Sequence, residues 1–303
     1  MAQTNNKVLY IFLFIAMLSW GASSVNMKIL SSYVNEYEMM LFRYFFTAVT
    51  LIPVMIFLRK SFRIDLKTFT FILISSILFI AYTKYFYLGI QLGTASLGGA
   101  LVTTLVPINT FIFLAILGTK KITVKSFFAL ILGALGVLTM LKAWTFKSEE
   151  IFLLQNLYFI LASLIWPIVT IISSKFTKVS PLTFTFYIYL ITSFINLVFF
   201  VDIQNINYAS LDSIFYINLA MITLLATAFG NTIYFIGVEK LGAEVSSFIF
   251  LVPFSAIVLS AIFLQEEITI SIVIGTILTI SAVKILNNIT IIKKRKSNHD
   301  TSK

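Results

Sequence analysis

The sequence predicts an all-α integral membrane protein of ten transmembrane helices arranged as two inverted five-helix repeats. Three observations lead there: a composition too apolar for water, a succession of uncharged stretches of membrane-spanning length, and a match of the chain to itself at about half its length. Of 303 residues, 59% are hydrophobic and 11% charged, whereas soluble domains run at about 45–50% and about 25%. Phe occurs 31 times and Gly 12 times, so the bulk lies in large side chains of the kind that face lipid. This composition excludes a soluble enzyme and a disordered chain, and the net charge of +10 does not make a nucleic-acid-binding protein of it. The absence of Cys removes disulfides, thiolate nucleophiles and cysteine metal sites, and the single His, His299, falls in the polar tail.

A hydrocarbon core of about 30 Å takes roughly 20 apolar residues per helix. Val8 to Met27 is uncharged, too long for a signal-peptide core, and followed by no small-residue cleavage site, so it reads as a retained helix. Further spans fall near 37–58, 67–90, 94–117, 122–141, 151–174, 181–201, 212–238, 243–264 and 268–290. The third and fourth are divided by the turn Gln91-Leu92-Gly93-Thr94, where glycine lets the backbone reverse at low steric cost.

With the N-terminus in the cytoplasm, the inner side collects Lys7, Arg59, Lys60, Arg63, Lys67, Lys120, Lys121, Lys125, Lys175, Lys178, Lys240 and the tail cations Lys293, Lys294, Arg295, Lys296 and Lys303. The outer side holds only Lys28, Lys142 and Lys147, while most acids fall outside. The positive charge is therefore an orientation signal. It places the protein in the cell (inner) membrane with both termini cytoplasmic.

At an offset of 146 residues Trp20 falls on Trp166 and Leu105-Val106-Pro107 on Leu251-Val252-Pro253. With three Trp and five Pro in the chain, these pairings are harder to reach by chance than matches of Leu, Ile and Val. The repeats read as residues 1–145 and 146–290, followed by a basic cytoplasmic tail, 291–303. Five helices per repeat is an odd number, so the second copy sits upside down. Lys120-Lys121 of an inner loop aligns with Glu266-Glu267 of an outer one, as opposite sidedness requires. Inverted repeats are characteristic of secondary transporters, which bind substrate near the midplane between the halves.

Several motifs occur in both halves in the same order: Ser19-Trp20-Gly21, Arg43-Tyr44, Tyr85-Phe86, Leu105-Val106-Pro107 and Gly136 in the first; Tyr234-Phe235, Leu241-Gly242-Ala243, Leu251-Val252-Pro253 and Leu264-Gln265-Glu266 in the second. Over roughly residues 8–290 the chain resembles the EamA branch of the drug/metabolite transporter superfamily. It departs from the pattern at Lys120, where an acid is usual, and at Pro167, where a small residue usually follows the Trp. The resemblance implies a carrier of a small organic metabolite, often an amino acid or related zwitterion and often moved outward, hence an amino-acid exporter working by alternating access. Uptake or exchange of a nucleoside-like metabolite, and lipid flipping, stand as alternatives.

Charge inside a membrane is a functional hypothesis by default. Arg43, Lys84 and Lys284 are the candidates, each about 9 Å from a helix end at about 1.5 Å per residue, within snorkelling reach. Snorkelling is the preferred reading of Lys284. For Arg43, a structural clamp and substrate contact are both open. Lys84 sits in a polar-aromatic patch, Tyr82-Thr83-Lys84-Tyr85, whose counterpart is Gly230-Asn231-Thr232-Ile233-Tyr234. Such patches would face one another across the midplane, and for Lys84 substrate lining and snorkelling are both open. No carboxylate lies deep in a span, so a cavity cation would find its partner in a substrate anion such as the carboxylate of a zwitterion. Trp20 and Trp166 lie too deep for an interfacial belt and read as cavity wall or packing. The amides of Asn26, Asn109, Asn196 and Asn231 default to interhelical hydrogen bonds. The substrate-binding candidates are thus Trp20, Arg43, Tyr82, Lys84, Tyr85, Trp166, Asn231 and Tyr234, with Pro107 and Pro253 as paired hinges. The expected partners are a small-molecule substrate and membrane lipid, without nucleic acid, cofactor or metal; monomer and homodimer both fit. An enzyme is disfavoured, because the bundle offers no deep acid, His or Cys.

Overall fold

The computed structural model describes residues 2–93, 95–119, 123–140, 142–145, 153–176, 178–264 and 270–286. Lys120-Lys121, Glu266-Glu267, Thr94, the tail 291–303 and His299 lie outside the described residues. Among those described, every regular element is helical. We label them α1 (Ala2–Leu30), α2 (Glu36–Phe57), α3 (Leu66–Leu92), α4 (Ala95–Ile116), α5 (Val124–Met140), α6 (Leu154–Phe176), α7 (Pro181–Phe199), α8 (Ser213–Leu241), α9 (Ala243–Leu251 and Val252–Leu264) and α10 (Ile270–Leu286). Six are long and apolar enough over described residues to cross a membrane: Lys7–Leu30, Glu36–Phe57, Leu66–Leu92, Leu154–Ser174, Pro181–Phe199 and Ser213–Leu241. Four shorter apolar helices, Leu101–Ile116, Val124–Thr139, Ala243–Ala256 and Val273–Leu286, occupy the other four predicted spans.

The ends of the helices follow from local chemistry. Asn35 opens α2 with a capping box: its side chain accepts from the Tyr37 and Glu38 amides while Glu38 accepts from the Asn35 amide at 2.9 Å. Asp65 and Asp212 cap α3 and α8 by simple N-cap bonds, accepting from the Thr68 and Phe215 amides. The bond from the Phe215 amide holds the Asp212 carboxyl below the usual carboxylate range. Gly93 ends α3, but at φ −117°, an angle open to any residue. Its service here is space, since a Cβ would lie a tight 3.0 Å from the Gly89 carbonyl oxygen. The turn is completed from outside α3 by Lys28, whose ammonium donates to the carbonyls of Ile90 (2.9 Å), Gln91 (3.3 Å) and Gly93 (3.0 Å). A cation at a helix C-terminus is where the peptide dipoles favour it.

The halves interleave. α3 packs on α6 and α7, α2 on α7 and α8, α4 on α6 and α9, α1 on α8 and α9, and α5 on α10. Exchanging α1–α5 for α6–α10 maps this set onto itself: α3 on α6 becomes α8 on α1, and α4 on α6 becomes α9 on α1. That is the contact pattern of a duplicated chain. The outer faces are apolar, with Phe57, Leu66, Ile116 and Phe199 exposed, while Ser, Thr and Asn lie in the interior. Many of these hydroxyls bond back into their own helix, as Thr47 does to the Arg43 carbonyl and Thr110 to that of Val106.

Pro167 lies inside α6, which runs on through it. Proline has no N–H to give the carbonyl four residues back, here Ser163. Asn109 of α4 supplies the missing donor at 3.1 Å. Asn26 and Asn231 also bond across helices, to the Asn218 carbonyl and the Tyr189 hydroxyl, whereas Asn196 bonds within its own helix to Thr192.

The second half departs from the first in α8 and α9. The middle of α8, Ile222–Asn231, is π-helical, and α9 begins with a 3-10 stretch, Ala243–Leu251. Between them Gly242 turns the chain at φ +80°, a conformation that favours glycine. The π turns are held from outside by two side chains. Trp20 Nε1 donates to the Ala226 carbonyl at 3.0 Å and Arg43 Nε to Thr227 Oγ1 at 2.7 Å.

Two stability outcomes are expected. A Cβ at Gly21 would lie 2.7 Å from the Ala256 backbone nitrogen of α9. Gly21→Ala therefore forces α1 off α9 and should destabilise by about 1–3 kcal/mol, seen as a lower unfolding temperature in detergent. Trp20→Phe removes the bond to Ala226 and should cost about 1 kcal/mol more than Trp166→Phe, whose indole N–H is buried without a partner. Equal losses in denaturation of the two variants would show that the Trp20 bond contributes nothing net.

Candidate functional site

Where the halves meet, a cavity of about 60 Å³ opens among α1, α2, α3, α4, α6, α8 and α9. Its centre is the contact between the two tryptophans of the repeat. Trp20 and Trp166 stand edge to face with ring centres 5.3 Å apart, a favoured aromatic geometry. Each also meets a tyrosine from the third helix of the opposite half: Trp20 meets Tyr234 at 5.1 Å and Trp166 meets Tyr82 at 4.8 Å. Phe79 packs on Trp166 at 5.4 Å and Phe86 stacks on Tyr82.

A second crossing lies beside the first. Tyr44 of α2 and Tyr189 of α7 stack at 5.0 Å, and each ties its hydroxyl to the third helix of its own half. Tyr44 shares a 2.6 Å hydrogen bond with Thr83, and Tyr189 accepts from Asn231 Nδ2. Tyr234 shares a hydroxyl contact with Thr170 at 2.9 Å. These bonds leave the rings little freedom, so the aromatic walls are fixed in orientation.

Arg43 brings the charge. It is 8% exposed, lines the cavity, and lies with its guanidinium carbon 5.4 Å from the Tyr44 ring centre. Its hydrogen-bond partner is neutral, the Thr227 hydroxyl. No carboxylate among the described residues pairs with it. Trp166 Nε1, on a residue that lines the same cavity, is a buried donor without an acceptor among the described residues. A buried cation with only a neutral partner and a buried indole N–H with none are costly unless something else supplies an acceptor.

Of the residues singled out in the sequence, Trp20, Arg43, Tyr82, Trp166 and Asn231 line this cavity, and Tyr234 packs directly behind the tryptophans. Lys84 and Tyr85 do not line it. Lys84 donates to the Tyr37 hydroxyl at 2.8 Å with its ammonium 5.2 Å from that ring centre, and Tyr85 stacks on Tyr158. The reason is helical: residues two apart point to opposite sides, so Tyr82 and Lys84 cannot share a face, whereas Phe79, Tyr82, Thr83 and Phe86 can. Lys284 is exposed on α10. Pro107 lies within α4, and Pro253 is the second residue of the α-helical part of α9, just past the 3-10 stretch. The sequence reading missed Tyr189, Thr227, Ser23, Ser24 and Thr103. One signal was present for Tyr189, because the repeat offset places it opposite Arg43; the small hydroxyls carry no pattern that sets them apart.

Residues 7–142 and again 153–288 match the EamA-like transporter family. The second match begins and ends 146 residues after the first, the offset at which the tryptophans pair. Among curated relatives, the S-adenosylmethionine uptake transporter of Rickettsia prowazekii is 27% identical over 185 residues, which cover 60% of this chain and 61% of the relative. That of Rickettsia bellii is 25% identical over 184 residues, again 60% of this chain and 61% of the relative. The match thus spans about three fifths of these proteins. A solved crystal structure superposes with a TM-score of 0.72 at 14% identity, over 92% of this chain and 96% of its own, and so shares the fold. Two family matches in tandem and a site built where the halves cross lead to one conclusion: this chain belongs to the EamA-like transporter family.

Proposed function

We propose that the protein is a ten-span secondary carrier with oppositely oriented halves, which takes up a small zwitterionic metabolite bearing an aromatic group, the class to which S-adenosylmethionine belongs. The observation that carries this reading is the cavity at the crossing of the halves, where a cation without a counter-ion among the described residues stands among fixed aromatic faces. A carboxylate answers the guanidinium by a charge-assisted bond. Aromatic rings offer faces for a flat base and for a sulfonium, since a ligand cation is drawn to a ring face. The named activity of the relatives supports uptake and lends nothing to amino-acid export. The loop charges support an inner-membrane location with both termini in the cytoplasm.

The volume bears on the working cycle. About 60 Å³ holds a few waters, whereas pockets for such solutes run from about 300 Å³. Substrate therefore belongs to a wider conformation than the present one. Both ends are bridged: Tyr33 bonds Asp212 at 3.2 Å on one side, while Thr183 and Tyr187 bond the carbonyls of Ser61 and Phe62 on the other. The first bridge ties the α1–α2 loop to the start of α8 and the second ties the α2–α3 loop to the first turns of α7, so alternate release of one and then the other would give alternating access. Pro107 and Pro253 are the proposed hinges.

The test is transport by the full chain in proteoliposomes with labelled S-adenosylmethionine outside. Saturable accumulation, competed by unlabelled S-adenosylmethionine and insensitive to free amino acids, is the expected result. Efflux of preloaded amino acids without such uptake would establish the export reading instead, and competition by lipid alone would establish a flippase.

A further inference from the structure

We propose that Thr227, presented by the π turns of α8, is a positioning residue that aims the Arg43 guanidinium end-on at a substrate carboxylate. The proposal rests on the transport reading above and assigns the carboxylate end of its substrate. It begins with an insertion. α3 and α8 are counterparts in the two halves, and both run from an aspartate cap to a glycine whose N–H bonds the carbonyl four residues back: Asp65 to Gly93, and Asp212 to Gly242. The second interval is two residues longer. α3 is α-helical throughout, whereas α8 is π-helical over Ile222–Asn231. The π turns are where the extra residues are taken up, and segments of this kind gather at functional sites.

Thr227 lies inside those turns. Its hydroxyl donates to the Ile222 carbonyl, five residues back, at 2.7 Å, which is the π register. With its proton committed there, Thr227 Oγ1 can only accept, and it accepts from Arg43 Nε at 2.7 Å. A guanidinium has five N–H donors in a rigid plane. A carboxylate can meet that plane along the edge that includes Nε, or end-on across the two Nη groups. Thr227 occupies Nε, so the end-on edge is the one left for a fork-to-fork pair. The Tyr44 ring, 5.4 Å away, limits tilting of the plane. Among the described residues no hydrogen bond uses the Nη groups.

A purely structural Arg43, clamping α8 to α2, makes a different prediction, and binding discriminates between them. The full-length protein, its Thr227→Val and Thr227→Ser forms, and Arg43→Lys are titrated with S-adenosylmethionine and with its decarboxylated analogue. Thr227→Val keeps the shape and removes the acceptor. It should weaken binding of the carboxylate compound tenfold or more while changing the decarboxylated one less than twofold. Thr227→Ser should restore the wild-type ratio. Arg43→Lys, which keeps the charge without the fork, should lose the preference and decides the matter if Thr227→Val does not fold. Equal weakening of both compounds, or an unchanged ratio in Thr227→Val, overturns the positioning role and leaves the transport reading intact. Failure of the wild type to bind either compound overturns the transport reading, and this proposal with it.

Discussion

Inside hydrocarbon, a polar group finds its partner within the protein or goes without, and the arrangement of this bundle follows from that constraint. Water is not available to repair a broken helical ladder. The gap that Pro167 leaves at the Ser163 carbonyl is filled by Asn109 from another helix, so a helix-breaking residue becomes a point of helix attachment. Lys28 does the same for the exposed carbonyls at the end of α3. The threonines and serines of the interior mostly satisfy themselves in their own helices, which lets them face one another without charge or strain.

Against that background two groups at the cavity stand out. Arg43 holds a full charge beside a neutral hydroxyl, and Trp166 carries an indole N–H with no acceptor, both at the cavity where the halves cross. The duplicated tryptophans have been given different tasks. Trp20 uses its N–H to hold the π turns of α8, and its twin keeps the N–H unspent. A duplicated fold thus contains a site that is not itself symmetric, which suits a substrate with unlike ends.

Much of the fold was legible because a membrane imposes simple rules on sequence. Uncharged runs marked the helices, and rare residues such as Trp and Pro marked the repeat where common apolar residues could not. Part of the site was legible for the same reason: Trp20 and Trp166 were identifiable as a pair, and Arg43 as a charge within a span. Lys84 was misleading because it is charged and has aromatic neighbours in sequence, yet two residues along a helix reverse the direction of a side chain. Thr227 gave no sign, since a threonine in an apolar helix is ordinary until its register is known.

The sequence by itself determined that this chain lives in a membrane, that it was built by duplication, and which residues are scarce enough to mark both facts. Those properties depend on composition and order alone. The tertiary structure decided which face of each helix turns inward, that the two tryptophans touch, and that the second half stores two extra residues as π turns against Arg43. These depend on rotation about a helix axis and on contacts between residues 146 and 184 positions apart, and neither is written in any local run of the chain.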